Sequence, residues 1–248
     1  GGGAIYSTMG VIYLETGTSD QVMYMFRNAY EFEPDNPGSR NNYALGLIGT
    51  GQLQEGWQLY KHRWESLEFS SPVRPFQKPL WEKQPLAGKK IALWGEQGIG
   101  DEIRFSSLIH EMIDMGANIV IECDPRLVEL FKRSFPGTTV YGREDDMSVP
   151  FEDTCDYQLP ILDLTRFFRP TIESFTQAPR VYLKANPDRM KLWQKRLENL
   201  GKKPKIGILW RSMRYSEETF RHYMTVEEME PVWRIQGVDF INLMYAEC

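Results

Sequence analysis

Apolar positions along the chain follow two patterns, and the change between them lies near residue 66. Before it, small and aromatic residues are spaced as in paired helices, and they predict helices at roughly 4–16, 20–33, 39–50 and 53–66. After residue 88, short runs rich in Ile, Val and Leu alternate with helical segments, which is typical of a parallel sheet. We therefore expect a helical part followed by an α/β part.

The first two predicted helices carry small and aromatic residues at the spacing of a tetratricopeptide repeat: Gly10, Tyr13, Phe26, Ala29 and Pro34. The period of about 34 residues maps four of them onto a second set, in which the last match is poor: Ala44, Leu47, Tyr60 and Arg63. Small residues let neighbouring helices approach, and Pro34 blocks continuation of the second helix. We interpret 1–66 as tetratricopeptide-type hairpins, with a generic pair of helical hairpins as the alternative.

The connector at 67–88 is rich in proline and aromatic residues. It contains Pro72, Pro75, Pro79 and Pro85, interleaved with Phe69, Phe76 and Trp81. Because four prolines do not fit a helix interior, this connector is expected to be extended, and its aromatic residues predict that it is packed.

The remaining chain predicts two α/β parts. Between 89 and 185, strands at 90–95, 118–123, 138–141 and 156–159 alternate with helices at 101–115 and 125–134, which predicts a doubly wound parallel Rossmann-like domain. From 186 to 248 we expect a linker helix at 187–200 and then the start of a second α/β domain, with strands at 205–210 and 239–244 flanking a helix at 226–233. That second domain is expected to be incomplete here, as in a fragment of a longer protein.

The composition and charge of the chain argue against several classes of protein. A formal net charge of -5 and a pI near 5.4 argue against nucleic acid as a partner. No run approaches the roughly 20 apolar residues that a membrane span needs. The three cysteines lack zinc-type spacing, so we expect reduced thiols and a cytoplasmic protein.

The loop after the first predicted strand is the main candidate for chemistry, because ligands of open parallel sheets bind at the carboxyl ends of strands. Its residues Gln97, Gly98 and Gly100 would let a backbone approach an anion or an acceptor. The glycine spacing fits neither a dinucleotide fingerprint nor a phosphate P-loop, which disfavours a nicotinamide enzyme. We expect no cofactor and no metal.

The stretch from Gly98 to Ile103, Gly-Ile-Gly-Asp-Glu-Ile, resembles the Gly-Asp motif of heptosyltransferase-like enzymes in glycosyltransferase family nine. The segments around Leu80-Trp81 and Leu93-Trp94-Gly95-Glu96-Gln97 look similar to bacterial proteins in which tetratricopeptide repeats precede such a domain. The resemblance implies a GT-B fold, with an acceptor-binding first half, a donor-binding second half and a cleft between them.

The resemblance also implies roles for three residues. Asp101 would be the base that activates an acceptor hydroxyl, and the alternative is a carboxylate that only caps its helix. Arg211 and Arg221 would meet the diphosphate of a nucleotide sugar, and the alternative is a solvated basic loop. This stretch departs from the Lys-Arg-Trp-Pro type of string found in the family.

The function expected from these features is transfer of a sugar from a nucleotide-sugar donor to an unidentified acceptor, with little transfer by this chain alone. The helical repeats would present the acceptor or a protein partner. The alternative is a non-catalytic scaffold protein in which the repeats bind partners and the α/β domain is degenerate.

Overall fold

The computed structural model describes residues 2–177, 181–210 and 223–244. The chain divides into two compact units, Gly1–Lys184 and Ala185–Cys248. The first unit consists of N-terminal helices followed by a parallel sheet with further helices, which confirms the expected mixture of helical and α/β structure. No described helix is long and apolar enough to cross a bilayer.

The N-terminal helices are α1 (Gly2–Thr16), α2 (Ser19–Phe32), α3 (Pro37–Gly49) and α4 (Leu53–Tyr60). Local capping sets the starts of α2 and α3. Thr18 and Gln21 form a capping box at α2, and Asn36 accepts from the Ser39 backbone N–H at α3. The predicted fourth helix ends at Tyr60 and not near 66. The chain continues as a 3₁₀ turn, Lys61–Glu65, whose Arg63 Nη1 donates to the Tyr60 carbonyl at 3.1 Å.

Small residues control how these helices pack. A Cβ on Gly10 would lie 2.3 Å from Cε1 of the buried Phe26 ring, so only glycine fits that contact. In the next hairpin Ala44 is fully buried, and a Cβ on Gly56 would lie 3.2 Å from its carbonyl oxygen. Consecutive helices are in contact throughout. The two small positions that the spacing paired, Gly10 and Ala44, thus both lie at close helix contacts.

The main sheet has four strands: β1 (Lys90–Trp94), β2 (Asn118–Cys123), β3 (Thr139–Gly142) and β4 (Tyr157–Pro160). Their order is β3-β2-β1-β4, and all three pairings are parallel. The connector adds a parallel bridge at the β4 edge, where Leu80 pairs with Gln158. The buried Trp81 holds this end of the connector on the protein.

The helix predicted at 101–115 is interrupted. It comprises α5 (Ile99–Phe105), a 3₁₀ turn at Ser106–Leu108 and α6 (Ile109–Asp114). The serine hydroxyls explain the break, because Ser106 Oγ donates to the Ile103 carbonyl at 2.7 Å and Ser107 Oγ to the Arg104 carbonyl at 2.9 Å. Such bonds compete with the regular helix ladder. The next helices are α7 (Val128–Ser134) and α8 (Thr165–Phe168).

The two faces of the sheet are covered differently. On one face, buried Ile91, Leu93 and Ile121 share a core with Met112 of α6 and Phe131 of α7. On the other face, a separate buried cluster contains Ala92 of β1, Val120 of β2, and Phe151 and Cys155 of the β3–β4 connection. Phe76 of the connector packs against this cluster. In the described residues the β3–β4 connection holds only a 3₁₀ turn, Glu152–Thr154, so connector aromatics help to cover this face.

The second unit contains α9 (Pro187–Glu198), β5 (Lys205–Ile208), α10 (Glu230–Trp233) and β6 (Asp239–Asn242), with β5 and β6 paired in parallel. The helix predicted at 226–233 starts only at Glu230. Before it, Thr225 and Glu228 bond reciprocally, side chain to backbone, in a turn.

Candidate functional site

The carboxyl ends of β1 and β4 form the point where the strand order reverses. From β1 the chain moves outward through β2 and β3, and then returns to the other side of β1 as β4. In open parallel sheets this reversal opens a crevice in which ligands bind. The loop at 95–98 and the start of α5 lie at this edge, directly after β1.

Asp101 is the third residue of α5. Its Oδ2 accepts from the Gly98 backbone N–H at 3.3 Å, and its own N–H donates to the Gly98 carbonyl at 2.9 Å. The residue is half-buried. The structure therefore shows the helix-capping contact that was the alternative to a catalytic role for Asp101. This contact is one long hydrogen bond, and the second carboxylate oxygen has no hydrogen bond among the described residues.

Glu102, the neighbouring carboxylate, has a structural role. It is 2% exposed, accepts from the Asp124 backbone N–H at 2.7 Å and pairs with Arg143. Gly95 makes room for it, since a Cβ there would lie 2.3 Å from the Glu102 Cδ. Burial raises the pKa of Glu102, opposed by the Asp124 N–H and by Arg143. This carboxylate therefore ties the carboxyl ends of β1, β2 and β3 together.

A buried ion cluster links residues that follow β1 and β4. Arg63 is fully buried; its Nε donates to Glu96 Oε1 at 2.7 Å, its Nη2 to Glu96 Oε2, and its Nη1 to Asp163 Oδ1 at 2.7 Å. Burial raises the pKa of Glu96, with Arg63 acting in the opposite direction. For Arg63, burial disfavours the charge, but Asp163 and Glu96 outweigh it and raise its pKa. Arg63 thus places a guanidinium from the helical part where a parallel sheet commonly binds its ligand.

Sequence reasoning did not single out Arg63, Glu96 or Asp163 as a cluster. The sequence contained one signal for Arg63. It occupies a position where the repeat pattern has a small residue, so the match there is poor. Trp57 adds a second link, donating from Nε1 to the Arg169 carbonyl at 3.0 Å. Both contacts join the helices to the chain that follows β4.

The predicted backbone loop is largely engaged within the chain. Gln97 has a positive φ of 60°, its N–H donates to Ser71 Oγ at 2.6 Å, and its side-chain Nε2 donates to the Tyr60 hydroxyl at 3.1 Å. The Gly98 N–H donates to Asp101. Gly100 is exposed and has open space around it. The N–H groups of Gln97 and Gly98 are therefore committed to internal bonds and do not form an open anion cradle.

Arg211 and Arg221 lie outside the described residues. His62 pairs with Glu65 at 2.7 Å on the surface, and the His110 ring packs against Phe135. Within residues 2–177, 181–210 and 223–244, no group of three or more His, Cys, Asp or Glu side chains could hold a metal ion.

The two buried cysteines are poor candidates for a catalytic nucleophile. Cys123 and Cys155 are free thiols, and burial raises the pKa of Cys123 to about 12, with a further contribution from the Glu102 charge. A thiol with so high a pKa is not ionised near neutral pH and is a poor nucleophile.

Comparison with known proteins gives one relative. The chain is 30% identical over 233 residues to Protein FlbA of Caulobacter vibrioides, an alignment that covers 86% of this chain and 39% of FlbA. The chain thus spans about two fifths of the length of that relative. No family model matches the chain. No solved structure matches it significantly.

Proposed function

We propose that this chain carries the acceptor-side part of a sugar-transfer protein of the heptosyltransferase-like, GT-B type. In this proposal α1–α4 are tetratricopeptide-type hairpins, the four-stranded sheet is a Rossmann-like acceptor domain, and the second unit begins the donor side. The donor is a nucleotide sugar, and Asp101 is the base that takes the proton from the acceptor hydroxyl.

One observation carries the proposal. Three carboxylates lie at the carboxyl end of β1, and two of them are buried and paired: Glu96 with Arg63, and Glu102 with Arg143. Asp101 alone among these three is half-exposed and held by a single 3.3 Å contact. A general base has to reach its substrate by a hydrogen bond, so Asp101 is the carboxylate of this edge that suits the role.

The test uses Asp101→Asn, which removes the base and keeps the shape. Transfer from a panel of nucleotide sugars is followed by mass spectrometry, in the 248-residue chain and in a longer natural protein that contains it. In the longer protein we expect turnover to fall by about 100-fold or more. Asp145→Asn, on an exposed loop, is the matched control and should leave turnover unchanged.

Two results would count against the proposal. If Asp101→Asn retains transfer, Asp101 is only a cap. If the 248-residue chain by itself binds a nucleotide sugar much more tightly than about 1 mM in calorimetry, the proposed division into acceptor and donor sides is wrong, because this proposal assigns only the first strands of the donor side to these residues.

The second candidate is a non-catalytic scaffold that binds a protein partner through its helices. The observation in its favour is the apolar surface of α1, where Ile5, Met9 and Ile12 share one face of the helix and are 63%, 36% and 56% exposed. Large exposed apolar patches commonly mark protein interaction sites. A longer protein that transfers no sugar with any donor, yet loses partner binding when these three residues become Ser, would favour the scaffold.

A further inference from the structure

A pocket of ≈ 420 Å³, which is within the usual size range of small-molecule sites, lies where the connector crosses the ends of β1 and β4. Its walls come from the 3₁₀ turn after α4, from the connector, from the last residue of β1 and from the chain around and after β4. None of the residues 95–101 lines it. It is therefore distinct from the Asp101 loop.

One wall of the pocket is aromatic. Trp64, Phe76 and Trp94 line it, with ring centroids 5.2 Å apart for Trp64 and Trp94 and 6.0 Å apart for Phe76 and Trp94. Trp94 is fixed, because its Nε1 donates to Gln158 Oε1 at 2.7 Å. The Trp64 and Trp94 planes are inclined by 47° and already contact each other, so they form an angled wall and not a parallel slot for a flat ring.

The buried charged residues of the lining are already paired. Arg74 pairs with Glu122, Arg166 pairs with Glu82, and Asp163 accepts from Arg63. The other basic residues of the lining are Lys61 and His62, which are partly exposed. Arg166 adds a buried donor, since its side chain is 2% exposed and its Nε–H has no hydrogen-bond partner among the described atoms. A buried donor without a partner is unfavourable, so a hydrogen bond from it to a ligand oxygen would stabilise the bound state.

We propose that this pocket binds one ring of a neutral carbohydrate. The positively polarised C–H groups of a puckered sugar ring suit the negative faces of an angled aromatic wall. Its hydroxyl groups can accept from the Arg166 Nε–H and donate to the Asp163 carboxylate or the Gln158 amide oxygen. A flat base lacks a parallel slot, and a phosphate would have only the partly exposed Lys61 and His62 as cations that are not buried in an ion pair. The inference does not require sugar transfer, because a chain without catalytic activity would bind in the same way.

The test follows the indole N–H resonances of Trp64 and Trp94 by NMR in the full 248-residue chain. The probes are the methyl glycosides of glucose, galactose, mannose and N-acetylglucosamine. We expect at least one of them to shift both resonances saturably, with a dissociation constant of about 10 mM or tighter. Glycerol, uridine, adenosine and inorganic phosphate are the comparison probes and should produce no saturable shift.

Two variants test the pocket chemistry on the glycoside that binds. Trp64→Leu keeps an apolar side chain and removes the aromatic face, and Arg166→Lys keeps the charge and removes the Nε–H. Each should weaken binding by about three- to tenfold. Arg126→Lys, at an exposed arginine paired with Asp124, is the matched control and should change affinity by less than about twofold.

Three outcomes would overturn the proposal. The first is the absence of any saturable shift with the four glycosides. The second is a saturable shift by uridine, adenosine or phosphate in place of the glycosides. The third is unchanged affinity in Arg166→Lys, which retains the charge and is the variant to rely on if Trp64→Leu does not fold.

Discussion

At the scale of single residues, Arg63 shows how one side chain can define the relation between two parts of a unit. It lies on the 3₁₀ turn after α4, yet its guanidinium contacts Glu96 after β1 and Asp163 after β4. Its charge is enclosed by two carboxylates and by the Tyr60 carbonyl. Removing the cation would leave both carboxylates buried without their partner.

We therefore expect Arg63→Met to be strongly destabilising. Breaking a buried ion pair by removing one partner costs about 3–5 kcal/mol, mainly because the other charge remains buried. Urea unfolding of the variant and of the unaltered chain measures the difference in the free energy of unfolding.

Arg40→Met is the matched control. Arg40 pairs with the exposed Glu65 at 2.9 Å, and loss of such a surface pair should cost less than about 1 kcal/mol. Equal effects of the two substitutions would show that the Arg63 cluster contributes no more than a surface pair.

At the scale of elements, packing contacts set the shape of the β1–α5 loop more than the number of its glycines does. Gly95 lies against the buried Glu102 side chain, whereas Gly100 in α5 has no atom within 4 Å of where a Cβ would lie. Neither has a positive φ, so backbone strain does not distinguish them. Only Gly95 is required by a close contact.

We expect opposite effects from alanine at these two glycines. Gly95→Ala places a methyl group 2.3 Å from Glu102 Cδ, which Arg143 and the Asp124 N–H hold in place, and should destabilise the protein by about 1–3 kcal/mol. Gly100→Ala should stabilise it by about 0.5–1 kcal/mol, because alanine is the better helix former. Thermal unfolding of both variants measures this; a stable Gly95→Ala would mean that Glu102 is not fixed.

At the scale of the whole molecule, the helices and the four-stranded sheet belong to one compact unit, Gly1–Lys184. Buried Leu162, directly after β4, packs into the cluster formed by Ala44, Leu53, Trp57 and Tyr60 of the helical part. The Trp57–Arg169 bond and the Arg63 cluster add polar contacts at the same junction. The helices therefore pack directly against the chain that follows β4.

We expect the helical part and the sheet to unfold together. Hydrogen exchange in increasing denaturant should give the amides of Leu47 in α3 and Ile121 in β2 the same free energy and the same denaturant dependence of opening. Both residues are fully buried, which makes them suitable reporters. Opening of Leu47 at a clearly lower free energy would mean that the helices form an independent unit.

The sequence by itself determined the kinds of element and most of their positions, because these depend on local patterns. Apolar runs and the spacing of small and aromatic residues located β1 to β4, and the starts of α2 and α3, within a residue or two. It also pointed to the loop after β1, since glycines between a strand and a helix are visible in the chain itself. Asp101 lies in the first turn of the helix that follows this loop.

Only the tertiary structure decided which charged residues meet. Glu96 and Glu102 are acidic residues in a loop and a helix, and nothing local distinguishes them from Asp101. Their roles follow from Arg63, which is 33 residues before Glu96, and from Arg143, which is 41 residues after Glu102. The pocket beside Trp94 has the same origin, because its walls come from segments far apart in the chain. Periodicity reports which face of an element is buried, but the partner of a buried charge is fixed by how distant segments pack.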